Sequence, residues 1–215
     1  MDILKNYNKI LANINDISKN TIVIVVSKTF SIIHFKPILD VGHIHFGENR
    51  VQESIDKWSD LLKVNNNLKL HLIGKLQTNK VAEAINHFSF IHSLDSEKLA
   101  LKISKEEINF NKKLNYFIQI NIGDEKQKSG ITTADSNKFI NFCKNELKLN
   151  VIGLMCLPPM TEDPTKFFLN LRQISTDNQL ANLSMGMSND YIKALECGAN
   201  YLRIGSAILG DRNNY

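Results

Sequence analysis

The sequence predicts an α/β fold, a (β/α)8 TIM barrel preceded by an N-terminal helix, and three observations lead to this prediction. Eight short apolar runs of strand length alternate with stretches that carry apolar residues at helical spacing. Strands and helices in alternation form parallel sheets through right-handed crossovers. Eight parallel strands close such a barrel, and 215 residues lie at the small end of its size range. An open, doubly wound sheet is the alternative, because periodicity by itself does not reveal closure.

The first predicted element is an amphipathic helix over residues 3–17. Its apolar residues recur at intervals of three and four and form one stripe: Ile3, Leu4, Tyr7, Ile10, Leu11, Ile14 and Ile17. The first strand, TIVIVVS at 21–27, is a run of β-branched residues. The other predicted strands cover residues 43–47, 69–73, 88–94, 115–122, 151–157, 181–186 and 201–206.

The intervening stretches show helical periodicity, as in 50–64 with its apolar residues one turn apart. The predicted helices cover residues 31–41, 50–64, 77–86, 96–108, 135–147, 164–177 and 188–197. Pro37 lies inside the helix 31–41 and removes one of its hydrogen bonds. We therefore expect that helix to be kinked or to begin late.

The composition fits one domain over residues 1–215. Hydrophobic residues make up 43% of the chain, and no segment has the composition of a linker, a repeat or a disordered tract. The net charge of +4 is small and the lysines are scattered, which does not favour a nucleic-acid partner. The N-terminus lacks the apolar core of a signal peptide and no apolar run could span a bilayer, so we expect a cytoplasmic protein. Cys143, Cys156 and Cys197 are odd in number and form no CxxC pair, which predicts reduced thiols, mostly in the core.

Polar, cationic and glycine residues collect at the carboxyl ends of the predicted strands, where parallel α/β folds place their sites. In chain order these residues are Lys28, Glu48, Asn49, Arg50, His71, Gly74, His92, Asn121, Met155, Cys156, Ser184, Met185, Arg203, Gly205 and Ser206.

The last two strand ends favour a phosphate next to Lys28. SMGMS at 184–188 and RIGSA at 203–207 each put Gly and Ser at a strand-to-helix junction, where backbone N–H groups and the helix dipole attract an anion. In a closed barrel, strands one and eight are neighbours, so Lys28 would lie on the order of 5–10 Å from that phosphate. A desolvated amine there loses proton affinity and can form a Schiff base with a phosphorylated aldehyde. Pyridoxal phosphate satisfies both requirements.

Arg203 is predicted to enter the same pocket beside the cofactor ring. An Asp opposite the pyridine nitrogen would keep it protonated and strengthen the electron sink. An Arg donates a hydrogen bond but does not yield a proton, since its pKa exceeds about 12. The cofactor would then be held in a weakly activated form.

Structural alternatives exist for each of these residues. Lys28 could be a solvated surface amine, and the Gly-Ser junctions could be ordinary caps. Arg203 could pair with Glu48 or Asp190 across the rim.

The histidines have structural alternatives of the same kind. His43 and His45 share a strand face but lack a third ligand, so we predict no metal site. His71 could stack on a ring or be a core histidine with satisfied hydrogen bonds.

Seven motifs in order resemble the YggS/PROSC family of pyridoxal phosphate homeostasis proteins. They are VSKT (26–29), HFGENRVQE (45–53), HLIGKLQTNK (71–80), QINIGDEKQKSG (119–130), GLMCLPP (153–159), SMGMSND (184–190) and RIGSAILG (203–210). The resemblance runs from about residue 20 to residue 212 and implies a single barrel of the alanine racemase N-terminal type. It also implies roles for the cofactor-binding residues: Lys28 for the Schiff base, Ser184, Gly205 and Ser206 for the phosphate, Arg203 for the ring nitrogen, and Asn49 and Met185 for the pocket wall.

The chain departs from the family pattern at several points. Lys75 replaces a Pro or apolar residue, Ser54 a Gly and Ser206 a Thr, and the segment 160–180 is shorter than usual. The chain also lacks the basic tail of some relatives, which puts in doubt a second cofactor site there.

The resemblance implies a non-catalytic carrier that buffers pyridoxal phosphate and delivers it to apo-enzymes through transient contacts, and we expect a monomer. An amino-acid racemase is the alternative, but it needs an acid/base group on each face of the adduct. Alanine racemase supplies one of these groups from a tyrosine of a second domain, and we expect no such domain here. A cofactor-free phosphosugar isomerase would need a rim carboxylate, for which Glu48 is the one candidate.

Overall fold

The computed structural model describes residues 2–125 and 127–211. Eight of its nine strands close into a parallel barrel, in the ring order β4, β3, β2, β1, β9, β8, β7, β5, with β5 pairing back to β4. The strands are β1 Ile22–Val26, β2 His45–Glu48, β3 Lys69–Leu72, β4 Phe90–Leu94, β5 Asn115–Asn121, β6 Ile131–Thr132, β7 Val151–Cys156, β8 Asn182–Ser184 and β9 Tyr201–Ile204. The predicted barrel is therefore confirmed and the open sheet is excluded.

The helices surround the barrel, and α1 precedes it. They are α1 Ile3–Asn15, α2 Ile32–Asp40, α3 Val51–Val64, α4 Val81–His87, α5 Glu97–Phe110, α6 Ser136–Asn141, α7 Thr165–Asp177, α8 Tyr191–Glu196 and α9 Ser206–Leu209. A 3-10 turn, Thr78–Lys80, leads into α4, and a π turn, Phe142–Glu146, extends α6. Of the two alternatives expected for α2, a kink or a late start, the late start is wrong, because Pro37 lies inside a helix that already begins at Ile32.

Three elements near the carboxyl ends differ from the sequence prediction. Strand β8 ends at Ser184 rather than at residue 186. The last barrel strand ends at Ile204 rather than at residue 206, because the backbone turns out of the sheet at Gly205 and Ser206 begins α9. The two-residue strand β6 was not predicted. It pairs with the carboxyl end of β5 and lies outside the ring of eight.

The core has two parts because each strand alternates its side chains between helices and barrel interior. The large part lies between strands and helices, where Trp58, Phe35 and Phe46 are fully buried against one another. A small cluster of Ile24, Phe117, Met155 and Tyr201 lies inside the barrel. The rest of the buried interior includes the polar residues His71, His92, Ser184 and Arg203.

None of the helices within residues 2–125 and 127–211 combines the length and hydrophobicity that crossing a membrane requires. The same residues contain no group of three or more His, Cys, Asp or Glu side chains able to hold a metal ion. Cys143, Cys156 and Cys197 are free and buried, as predicted. Burial raises the pKa of the Cys143 and Cys156 thiols to about 12, so both are unreactive at neutral pH.

Candidate functional site

A cavity of about 1250 Å³ lies at the carboxyl ends of the barrel strands. Five of the seven predicted cofactor residues line it: Lys28, Asn49, Arg203, Gly205 and Ser206. Apolar side chains that include Val26, Phe30 and Ile73 line it as well. The cavity therefore offers an amine, a guanidinium and hydroxyl groups next to an apolar wall, a combination suited to a charged aromatic ligand.

Lys28 follows the end of β1, beside the junction that follows β9. Val25 pairs with Ile204 across these neighbouring strands. A Cβ built on Gly205 would lie 3.4 Å from the Cβ of Val26, so the two backbones are in close contact there. The barrel closure predicted to bring Lys28 next to the Gly205 corner is thus present in the structure. The side chain of Lys28 is partly buried and lines the cavity.

The turn that carries Lys28 is held on both sides by α3 and β2. Ser27 donates its hydroxyl to Glu48 Oε1 at 2.7 Å, and Lys57 Nζ donates to the Ser27 carbonyl at 2.9 Å. Thr29 has a φ of 69°, a left-handed conformation that is unfavourable for a β-branched residue, and its N–H donates to Glu53 Oε1 at 2.7 Å. Strained backbone of this kind persists where surrounding contacts enforce it, which is frequent at functional sites.

Glu48 points away from the cavity and is fully buried beneath α3. Its Oε1 accepts from Ser27, from Lys57 Nζ at 2.9 Å and from Trp58 Nε1 at 2.9 Å. Glu48 is not among the described residues that line the cavity. Glu48, the carboxylate considered for a phosphosugar isomerase, is therefore a structural group in this fold, whereas Glu162 and Asp190 are carboxylates that line the cavity.

Asn49 reaches the cavity because Gly74 leaves room for its backbone. A Cβ at Gly74 would lie 2.3 Å from the Asn49 carbonyl oxygen, so any side chain at position 74 would displace Asn49. The glycine after β3 thus determines where the loop after β2 lies.

Arg203 extends from β9 into the barrel and is almost fully buried. Its Nη1 donates to the carbonyl and the hydroxyl of Ser184, both at 2.6 Å, and its Nη2 donates to the Cys156 carbonyl at 2.8 Å. Burial lowers the pKa of Arg203 from its usual range. None of its hydrogen bonds among the described residues goes to Glu48 or Asp190, so the alternative that it pairs with them is not supported.

Ser184 and Met185 do not line the cavity with the other predicted residues. Both are fully buried, and the Ser184 hydroxyl contacts Arg203 and His92 Nδ1, the latter at 2.8 Å. This position does not support the phosphate role that the resemblance implied for Ser184. Ser188, four residues on, lines the cavity and accepts a hydrogen bond of 3.1 Å from the N–H of Ala207. Its hydroxyl joins the two Gly-Ser junctions, and it is the serine of SMGMS that lines the cavity.

Sequence reasoning missed several polar residues of the cavity wall. They include Lys75, Gln119, Lys128, Glu162, Asp190 and Lys193. Gln119 belongs to β5 and Lys193 to α8, and the others lie on the loops after β3, β5, β7 and β8. Two of these lysines are paired, Lys128 with Glu125 at 2.5 Å and Lys193 with Asp163 at 2.8 Å. Lys75, one of the departures from the family pattern, is exposed at this cavity. The motifs GKLQTNK and GDEKQKSG were signals for two of these loops, since both resemble family segments.

Comparison with known proteins identifies the class of protein that this fold and site define. Residues 3–213 match the family described as alanine racemase, N-terminal domain. Solved alanine racemases share the fold alone: that of Clostridium difficile superposes with a TM-score of 0.72 at 16% identity, over 95% of this chain and 55% of that one.

More similar relatives narrow the class. The pyridoxal phosphate homeostasis proteins of Pasteurella multocida and Haemophilus influenzae are 36% and 35% identical to this chain. The matches cover 88% and 91% of this chain and 86% and 87% of those proteins. PipY of Synechococcus elongatus, solved without pyridoxal phosphate, superposes with a TM-score of 0.90 at 29% identity, over 97% of this chain and all of that one. PipY with pyridoxal phosphate bound gives a TM-score of 0.87 at 28% identity. The chain belongs to the alanine racemase N-terminal domain family and, within it, to the pyridoxal phosphate homeostasis proteins.

Proposed function

We propose that this protein binds pyridoxal 5'-phosphate as a Schiff base on Lys28 and acts, without catalysing a reaction, in buffering and delivering the cofactor inside the cell. The observation that carries the proposal is the meeting of Lys28, Arg203 and the Gly205-Ser206 junction in one cavity, in a fold that PipY uses with pyridoxal phosphate bound. When bound, the cofactor would supply an aldehyde that condenses with the amine. The cytoplasmic location, the monomeric state and the single-domain organisation expected from the sequence are parts of the same proposal.

The residues of the cavity fit this ligand by their chemistry. Lys28 is partly buried and lines the cavity, where its amine could condense with the aldehyde of the cofactor. Arg203 would hold the ring nitrogen without protonating it, and Asn49 would line the wall. Gly205, Ser206 and Ser188 would bind the phosphate through hydroxyl and backbone N–H groups. Met185, which is buried behind the junction, would support that wall rather than contact the ligand.

An amino-acid racemase is the function that must be distinguished from a carrier, since alanine racemases share the fold. The second acid/base group is the feature to look for. Tyr7, Tyr116, Tyr191 and Tyr201 do not line the described cavity, and Tyr215 lies outside the described residues. Burial and the neighbouring Glu107 raise the pKa of Tyr116, which donates to that carboxylate. The lack of a tyrosine among the described lining residues favours the carrier.

Borohydride reduction followed by peptide mapping tests the proposal. The purified protein should be yellow after addition of pyridoxal phosphate, and reduction should fix a pyridoxyl group on Lys28. Lys28→Ala should lose both, whereas Lys75→Ala, which removes another lysine of the same cavity, should keep them. A label spread over several lysines, or retained in Lys28→Ala, would contradict the assignment.

Two further measurements separate the carrier from the alternatives. Incubation with L-alanine should give no D-alanine above background, and robust turnover would establish a racemase. Mixing the loaded protein with an apo-enzyme that depends on pyridoxal phosphate should restore that enzyme's activity. Failure of transfer would limit the role to storage.

A further inference from the structure

A chain of hydrogen bonds runs through the barrel interior from Arg203 to the opposite end of the barrel. After the bond from Arg203 to Ser184, the Ser184 hydroxyl contacts His92 Nδ1 at 2.8 Å, and His92 Nε2 contacts His71 Nδ1 at 3.0 Å. His71 Nε2 then contacts His45 Nδ1 at 2.9 Å. His45, at the start of β2, is partly exposed, whereas the links between it and Arg203 are fully buried.

The direction of every bond in this chain follows from Arg203, because a guanidinium only donates. The Ser184 hydroxyl accepts from Arg203, and His92 Nδ1 is the acceptor that the described residues offer to its hydrogen. His92 must therefore carry its own proton on Nε2 and donate to His71. By the same reasoning His71 carries its proton on Nε2 and donates to His45.

Burial supports neutral rings at the inner positions. It lowers the pKa of His71 and His92 well below their usual range, and the positive charge of Arg203 adds to this for His92. Stacking also limits ring rotation: His71 lies 4.2 Å from the Phe90 ring and His92 lies 4.3 Å from the Phe117 ring, centroid to centroid. Stacking thus fixes the plane of each imidazole, and the hydrogen bonds fix its rotation within that plane.

The consequence for Arg203 concerns its remaining donors. Of the five N–H groups of a guanidinium, three are committed to Ser184 and Cys156. The other two, on Nε and Nη2, have no hydrogen-bond acceptor among the described residues, and Arg203 lines the cavity. Their direction depends on the Ser184 hydroxyl keeping its orientation.

We propose that His45, His71 and His92 are positioning residues that act through Ser184 to hold Arg203 in the orientation in which it donates to the ring nitrogen of the cofactor. The inference rests on the proposed function for its ligand, but the hydrogen-bond order exists without one. Under this proposal the Ser184 hydroxyl orients Arg203 and does not bind the cofactor phosphate.

The first test uses the protein without cofactor. Nitrogen-15 NMR of histidine-labelled protein should show His71 and His92 as neutral rings protonated on Nε2, with no titration between pH 8 and 6. His71→Gln and His92→Gln would assign the signals. A ring protonated on Nδ1 at either position, or one that titrates near its ordinary pKa, would overturn the proposal whether or not the cofactor binds.

The second test interrupts the series of hydrogen bonds at His71, its middle residue, which lies away from the cavity. In His71→Phe the His92 Nε2–H loses its acceptor, so we expect affinity for pyridoxal phosphate to fall about tenfold and the absorption maximum of the bound cofactor to shift toward that of Arg203→Lys. His71→Gln, which retains an acceptor and a donor, should restore part of both.

The matched control is His87→Phe, because His87 forms a hydrogen bond with Ser54 and takes no part in the series of hydrogen bonds that leads to Arg203. It should leave the affinity and the spectrum unchanged. A folded His71→Phe with the spectrum and affinity of the unmodified protein would overturn the positioning role. Loss of Lys28 labelling in the unmodified protein would instead overturn the proposed function, and the NMR result would still decide the hydrogen-bond order.

Discussion

Glu53 of α3 accepts a hydrogen bond of 2.7 Å from the backbone N–H of Thr29, the residue directly after Lys28. Thr29 has a left-handed backbone, a conformation that costs about 1–2 kcal/mol for a residue with a Cβ. A carboxylate from a neighbouring helix thus holds the strained turn from which the Lys28 side chain enters the cavity.

Removal of this carboxylate should weaken cofactor binding. In Glu53→Ala the turn can relax, so we expect the affinity for pyridoxal phosphate to fall about threefold to tenfold, the net worth of one ordinary hydrogen bond. Titration of the apo-protein by absorbance measures it. Asp60→Ala, on the same helix but at an exposed position, is the control and should bind as before. Equal affinities for the two variants would mean that the turn at Thr29 keeps its conformation without the hydrogen bond to Glu53.

The buried pair of Glu48 and Lys57 should matter strongly for stability. Lys57→Met leaves the Glu48 carboxylate buried without its cation, which should lower the free energy of unfolding by about 3–5 kcal/mol. Adding Glu48→Gln to that variant should recover part of the loss, because the uncompensated charge is gone. Urea denaturation measures both. Lys63→Met, which removes an exposed ion pair of the same helix, should change little.

Gly186, two residues after the end of β8, should tolerate no side chain. Its φ is 90°, and an added Cβ would lie 2.6 Å from the Ala194 Cβ and 2.9 Å from a Leu202 methyl group. Gly186→Ala should therefore cost about 2–4 kcal/mol of stability through backbone strain and overpacking together. Gly42→Ala isolates the backbone strain, since Gly42 has a similar φ of 84° and an added Cβ would have no neighbour within 4 Å. This substitution should cost about 1 kcal/mol. Equal losses in the two variants would show that α8 moves aside freely.

Acidification should destabilise the protein through its buried histidines. Burial lowers the pKa of His71 and His92 well below 6.5 and that of His43 to about 4. Below pH about 6.5 the unfolded chain takes up protons that the native state does not, so the stability present above that pH is lost as the pH falls. Each such histidine adds a slope that approaches about 1.4 kcal/mol per pH unit.

Urea denaturation between pH 7.5 and 5 measures this slope, and comparison with His71→Phe isolates one histidine. The variant should lose stability less steeply on acidification than the unmodified protein. Parallel curves for the two proteins would indicate that His71 takes up its proton as readily in the native state as in the unfolded chain.

The strand and helix pattern could be predicted because it is local. A run such as TIVIVVS is typical of a buried strand, so Lys28 could be placed at its carboxyl end, whereas the Schiff-base role came from the resemblance. The Gly205 junction was predicted for the same reason, since glycine and serine after a strand signal a turn into a helix. Even the end of β9, two residues earlier than predicted, is a small error of boundary.

The inward or outward direction of the polar residues could not be predicted in the same way. Both faces of a barrel strand are buried, so HFGE in β2 has no alternation of polar and apolar residues to reveal which face lines the interior. From the sequence, a polar residue at a strand end is therefore as compatible with a position on the rim of the barrel as with one beneath a helix. Glu48 lies beneath α3, and Ser184 lies inside the barrel under Arg203.

By itself the sequence determined the number and order of the eight barrel strands and the lysine at the end of the first, because hydrophobic runs and turn residues act within a few positions of one another. Only the tertiary structure decided that histidines from β2, β3 and β4 align into one path to Arg203 of β9. That alignment depends on the register between strands and on barrel closure, which are set by packing among residues far apart in the chain.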